Sequence, residues 1–176
     1  STLYCDLWEP PQMIGLLEEK GLTCKKSNLV EVGLGDYFWK SDHRITVERK
    51  TVSDFLSSRD RVEGQLKKCL ENSDEVIFLL EGVATPSLDG YTEVWARRGK
   101  FFYLQFVSRQ SYRAMQATLS AFQKNGVDVV QSNTLEGTVE TLVALHKASF
   151  KTEEERKTFK RYIRPKPHLE TPDPDI

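Results

Sequence analysis

The sequence predicts an α/β domain in which a central sheet is covered by helices on both faces. Three observations carry this. Val76-Ile77-Phe78-Leu79-Leu80 is a continuous apolar run bounded by Glu75 and Glu81-Gly82, the mark of a strand covered on both sides and central in its sheet. Helical stripes follow at Tyr112, Met115, Leu119, Phe122 and at Leu135, Val139, Leu142, Leu145, with the short strand Val127-Asp128-Val129-Val130 between them. At the start, the apolar strand Thr2 to Trp8 is broken by Glu9-Pro10-Pro11 before the helical pattern Met13, Ile14, Leu16, Leu17. Strands and helices that alternate in this way pack as layers on one sheet.

In chain order, Gly21 ends the first helix, and Leu29 to Gly33 reads as a strand. Gly33 and Gly35 permit a bend or bulge that re-aims the side chains after it. Asp36 to Lys40 and Arg44 to Arg49 are rich in β-branched and aromatic residues and flank the polar Ser41-Asp42-His43 link, so they form a hairpin. Thr51 to Asp54 begins a short helix whose first turn suits the Asp54 carboxylate. A second helix runs from Asp60 to Asn72, with Arg61 and Gln65 one turn apart on one face. Val83 to Lys100 is rich in turn formers and reads as a loop. Arg97, Arg98 and Lys100 beside Tyr91 and Trp95 suit either contact with DNA or a packed loop with a charged rim. Ser111 to Lys124 is a helix stopped by Gly126, and Thr134 to His146 closes the domain. Lys151 to Arg164 alternates acidic and basic residues as a solvated helix or tail, and Pro165, Pro167, Pro172 and Pro174 make the end extended or disordered. The division is thus a folded domain over 1–148 and a charged, proline-rich extension over 149–176.

With 176 residues and 39% hydrophobic content, the chain fits one domain with a substantial core plus an appendage. No apolar run reaches the ~20 residues of a membrane span, and the N-terminus lacks a secretory pattern, which predicts an intracellular protein. The chain opens at Ser1 rather than at a methionine, as expected of a trimmed or processed piece of a longer protein. Cys5, Cys24 and Cys69, like His43, His146 and His168, are scattered without zinc-site spacing and read as reduced thiols and structural imidazoles. The net charge of −1 means that any contact with nucleic acid relies on local patches.

The chemistry concentrates in the hairpin. Side chains alternate along a strand, so Glu48 and Lys50 project to one side, and Val47 and Arg49 to the other. With Asp36 on the partner strand near the same face, two carboxylates and an ammonium converge where a divalent cation and a phosphate fit. Carboxylates about 4 Å apart repel by roughly 4 kcal/mol at an effective dielectric of about 20, which favours a bound cation or a raised proton affinity. An all-oxygen site selects hard cations, magnesium or manganese, over zinc. A Glu-x-Lys pair alone is also what a solvated surface hairpin carries.

Gly35-Asp36-Tyr37 followed by Val47-Glu48-Arg49-Lys50-Thr51-Val52-Ser53-Asp54 resembles the signature of the XPF family of structure-specific endonucleases, a Gly-Asp pair and then Glu-Arg-Lys-x-x-x-Asp. The resemblance extends over about Thr2 to His146. It implies a restriction-endonuclease-like fold and an enzyme, a magnesium- or manganese-dependent hydrolase that cuts branched or flapped DNA in repair, replication or recombination. Asp36, Glu48, Lys50, Arg49 and Asp54 then belong to the catalytic set, with Asp54 orienting Lys50 or a metal-bound water. The family's acidic Asp-x-Arg-Glu corresponds to Asp6-Leu7-Trp8-Glu9. Asp6 is therefore expected to join Asp36 and Glu48 as a metal ligand, while Trp8 replaces a basic contact. Arg61 and Gln65 are expected to position the substrate. The resemblance also implies DNA as partner, pairing as a homodimer or with a related domain, and a nuclear or other DNA-associated location. The tandem helix-hairpin-helix motifs that follow many such domains are not found in this sequence. The alternatives are a non-catalytic DNA-binding scaffold subunit and a sequence-specific nuclease of restriction or homing type.

Overall fold

The structure, a computed structural model, describes residues 1–160 and 162–167. The expected character of Pro172 and Pro174 falls outside them. The main sheet is mixed and six-stranded, in the order β2-β1-β3-β4-β5-β9. Its strands are β1 (Leu3–Asp6), β2 (Cys24–Ser27), β3 (Tyr37–Lys40), β4 (Arg44–Thr51), β5 (Glu75–Glu81) and β9 (Val127–Ser132). β4, β5 and β9 run parallel, β3 is antiparallel to β4 and to β1, and β2 is parallel to β1. The apolar run of β5 is central, paired on both sides as its composition predicts.

Alternation along β5 divides the core in two. Val76, Phe78 and Leu80 pack with Val52, Phe55 and Leu56 of α2 (Val52–Ser57), Val62, Leu66 and Cys69 of α3 (Arg59–Asn72) and Met115, Leu119 and Phe122 of α4 (Tyr112–Lys124). Ile77 and Leu79 pack instead with Met13 and Leu17 of α1 (Gln12–Glu19) and Val139, Leu142 and Val143 of α5 (Leu135–Ser149). Helices thus cover both faces, as expected. Three helix starts have a local cause: the Thr51, Ser111 and Thr134 side chains accept the backbone N–H groups of Asp54, Ala114 and Gly137 and so cap α2, α4 and α5.

Three segments differ from the sequence expectation. Leu29 to Gly33 is not a strand: Val30–Val32 is a short 3-10 turn, closed by Gly33 at φ 78°. Cys24–Ser27 is a strand that its half-exposed Cys-Lys-Lys-Ser pattern does not announce. Val83 to Lys100 is not a loop. It supplies β6 (Val83–Pro86) and β7 (Tyr91–Arg98), which join β8 (Phe101–Ser111) in a separate three-stranded antiparallel sheet. Val94 and Ala84 anchor this sheet to the α2–α3–α4 side of the core. Of the two forms expected for Lys151 to Arg164, the described residues take the tail: they are exposed and include only the turn Glu153–Glu155.

Candidate active site

Gly35 sets the position of Asp36. A Cβ at Gly35 would lie 2.6 Å from the Val47 carbonyl oxygen, so only glycine lets the chain pass this close to β4. Its N–H donates to Thr46 Oγ1 at 2.8 Å, and the next N–H, of Asp36, donates to the Val47 carbonyl at 2.8 Å. The Arg49 N–H donates back to Asp36 Oδ2 at 2.8 Å. The Asp36 carboxylate is thereby fixed beside β4 at the level of Glu48.

Asp36, Glu48 and Lys50 line one cleft of about 510 Å³ with Asp6, Asp54, Arg61 and Gln65. The parallel crossover from β4 to β5 supplies its second wall, because α2 and α3 lie over the face to which Glu48 and Lys50 point. Trp8, Val30, Ser57, Ser58 and Val62 complete the lining. Of these, Trp8 stands in the acidic motif of the sequence, whereas Ser57 and Ser58 carry only the weak signal of two serines ahead of Arg59-Asp60, which mark a helix start.

The carboxylates are held under electrostatic stress. Glu48 is buried, and its Oε2 has no hydrogen-bond partner. Burial, and then the negative charge of Asp36, push its carboxyl up to about 9, with Lys50 pulling the other way. Asp36 is pushed up to about 7, by burial first and Glu9 next, against the Arg49 N–H and Lys50. A buried acceptor with no donor is an unsatisfied demand for a cation or a proton.

Asp6 lines the same cleft and is already engaged by the backbone. It is buried, and its oxygens accept three backbone N–H groups: Leu29 at 3.0 Å and Val30 at 3.2 Å through Oδ1, and Trp8 at 3.2 Å through Oδ2. It holds the 3-10 turn against β1. Among the described residues, no three His, Cys, Asp or Glu side chains converge as a ready metal cage.

Arg49 does not enter the cleft. On the opposite face its guanidinium donates to both oxygens of Glu81, at 3.1 and 2.7 Å, and lies 3.5 Å from Glu9 Oε2. Thr138 Oγ1 also donates to Glu81, at 2.5 Å. The alternation of β4 foretold that Arg49 points away from Glu48, but Glu81 is a long-range partner with no sequence signal. On the cleft wall, Gln65 Nε2 donates to the Leu34 carbonyl at 2.9 Å, and Arg61 and Asp54 are exposed at the rim. His43 lies at the far end of the hairpin, bonded to Glu75 at 2.7 Å and to Asp42, and takes no part in the cleft.

No helix among the described residues is long and apolar enough to cross a membrane. Comparison with curated proteins gives no match. Two solved structures share the fold. XPF from Aeropyrum pernix in complex with DNA aligns with a TM-score of 0.60 at 22% identity, over 84% of this chain and 64% of that one. XPF from Aeropyrum pernix aligns with a TM-score of 0.60 at 24% identity, over 88% and 67%. The chain therefore spans about two thirds of the length of these relatives. Residues 7–145 match the ERCC4 domain. The chain belongs to the ERCC4 domain family, and its mixed sheet flanked by helices is the fold of the XPF nucleases.

Proposed function

We propose that the protein is a divalent-metal-dependent DNA endonuclease that cuts branched or flapped duplexes. The observation that carries this is the buried, partnerless Glu48 Oε2 that shares one cleft with Asp36 and Lys50. The donor set fits magnesium or manganese: Asp36 and Glu48 would hold the ion with water completing its shell, and no Cys or His lines the cleft to favour zinc. Asp6, already occupied by three amides, contributes charge and the shape of the wall. When bound, the cation supplies polarisation of the scissile phosphate and an acidified water. Lys50 offsets the charge that builds on the phosphoryl oxygens and holds the attacking water by hydrogen bond. Asp54 orients Lys50, Arg61 binds a phosphate from the rim, and Gln65, fixed through its amide nitrogen, keeps its carbonyl free to accept.

The Aeropyrum XPF was solved with DNA, and the shared fold supports the same polymer here. Pairing with a second copy or a related domain would extend the grip on DNA, as sedimentation on and off DNA would reveal. A non-catalytic DNA-binding scaffold is the second reading, favoured by the structural use of Asp6, which accepts three backbone N–H groups. Labelled flap, fork and linear duplexes incubated with magnesium separate the two. The endonuclease reading expects single-strand cuts near the branch, lost in Asp36→Asn and reduced at least 100-fold in Lys50→Ala, the loss seen when a transition-state donor is removed. Unimpaired cutting by both Asp36→Asn and Glu48→Gln would place the chemistry elsewhere. Absence of cutting on every structure, with and without a partner domain, would leave the scaffold.

A further inference from the structure

We infer that the β7–β8 hairpin is a nucleic-acid rail that receives the unpaired strand of a branched substrate. Charge is the first ground. From Val94 to Val127 the sequence has no Asp or Glu and carries Arg97, Arg98, Lys100, Arg109, Arg113 and Lys124, a net charge of +6 in a chain whose total is −1. The remainder is therefore net acidic, and this local excess of cations lies on β7, β8 and α4, with Arg97 paired to Glu136 Oε2 at 3.1 Å and the others available to a ligand.

The second ground is the chemistry of β8. It is an edge strand of eleven residues, exposed along nearly its whole length on both faces. Phe101 (78% exposed), Phe102, Tyr103 and Phe106 lie open to solvent. Such a strand is a hazard unless something uses it. Rings interleaved with cations are what single-stranded nucleic acid requires, since every base offers a face for stacking and every phosphate a charge. Arg98 already lies over the Tyr103 ring, 6.0 Å from its centroid, and so presents a cation and a ring together.

Position is the third ground. The base of β8 abuts the cleft: Arg59 Nη2 donates to Gln110 Oε1 at 2.9 Å, and Gln110 shares a small cavity with Ser57, Ser58 and Arg61, which also line the cleft. From Gln110 to Phe101 the strand extends roughly 30 Å at about 3.3 Å per residue. The hairpin thus leads away from the carboxylates along a basic, aromatic track. Pairing of this surface with its own copy would set like charge against like, which favours a polyanion as the occupant.

The inference rests on the endonuclease reading for the choice of DNA as the polymer, and its test is independent of cutting. In EDTA, binding of the full chain to fluorescein-labelled oligo-dT, to a fork with a dT arm and to blunt duplex is followed by anisotropy. Phe101→Ala/Tyr103→Ala is expected to weaken oligo-dT and fork binding tenfold or more, and blunt duplex less than threefold. Arg98→Ala/Lys100→Ala is expected to lower the salt slope on oligo-dT by about 1.4, the value for two phosphate contacts. These side chains are exposed, so thermal midpoints should stay within a few degrees, and Phe101→Trp/Tyr103→Trp should retain binding. Oligo-dT affinity unchanged in both alanine variants overturns the rail. So does a shift from dimer to monomer in the aromatic variant with DNA binding intact, which assigns the strand to a second copy. A wild type that cuts DNA while the hairpin variants bind normally removes the rail and leaves the nuclease. Lost binding in a protein that never cuts leaves the rail and removes the nuclease.

Discussion

Glu48→Gln should stabilise the metal-free protein, and increasingly so as pH rises. Glu48 titrates near 4.5 when solvated and is raised to about 9 in the fold. A carboxyl raised on folding contributes stability that is complete below the unfolded value and is lost as pH rises through the folded one. Between pH 5 and 8 the unfolded chain has released this proton while the folded chain keeps it, which costs about 1.4 kcal/mol per pH unit. Three units give roughly 4 kcal/mol as an upper value, because the cleft opens to water; half of it, about 2 kcal/mol, corresponds to a shift of about 4–8 °C for a domain of this size. Glutamine has the shape of the protonated acid and nothing to ionise. Thermal melts of wild type and Glu48→Gln in EDTA at half-unit pH steps should diverge from pH 5 upward. Magnesium should raise the wild-type midpoint more at pH 8 than at pH 5.5, and the variant's little at either. Parallel wild-type and variant curves across this range would refute the argument that Glu48 is held protonated by its surroundings.

Arg49→Ala leaves Glu81 and Glu9 buried without their cation and should cost about 3–5 kcal/mol, seen as a midpoint fall of roughly 10 °C; a stable variant with abolished cutting would instead return Arg49 to the chemistry. Gly35→Ala forces the backbone off Val47 and should cost about 1–3 kcal/mol while displacing Asp36, so that cleavage falls even well below the melting temperature; full activity would show that the close approach is dispensable. His43 is raised above its ordinary value by Glu75 and Asp42. His43→Gln should therefore lose about 0.5 kcal/mol near pH 5.5 and little above pH 8, as denaturant melts at the two pH values will show; an equal loss at both would exclude a charged His43.

Much of the sheet was legible because its strands are buried in distinct ways. β5 is apolar on both faces and reads as an unbroken run, and β4 alternates so plainly that Glu48 and Lys50 separate from Arg49 on the pleat alone. β2 was missed because an edge strand that buries little has no apolar pattern to show. β8 was missed for the related reason that it faces solvent on both sides: Phe101 to Val107 has strong β composition but no alternation that a core would impose. Within the site, the cluster of Asp36, Glu48 and Lys50 follows from local spacing and the narrow passage at Gly35. The engagement of Asp6 by the amides of Leu29 and Val30 depends on a turn more than twenty residues away, and no short-range rule anticipates it.

The separate sheet also bears on how the chain reaches its fold. β9 must pair in parallel with β5, yet all of the residues from Gly82 to Gly126 lie between them. Closing a connection of that length before any contact rewards it is an entropic toll that slows folding. The antiparallel pairings of β6, β7 and β8 are local by comparison and need no help from β9. Once formed, they draw much of the connection into a compact clasp, and halving its effective length lowers the closure cost by about 0.6 kcal/mol, roughly a threefold gain in the chance that β9 finds its place.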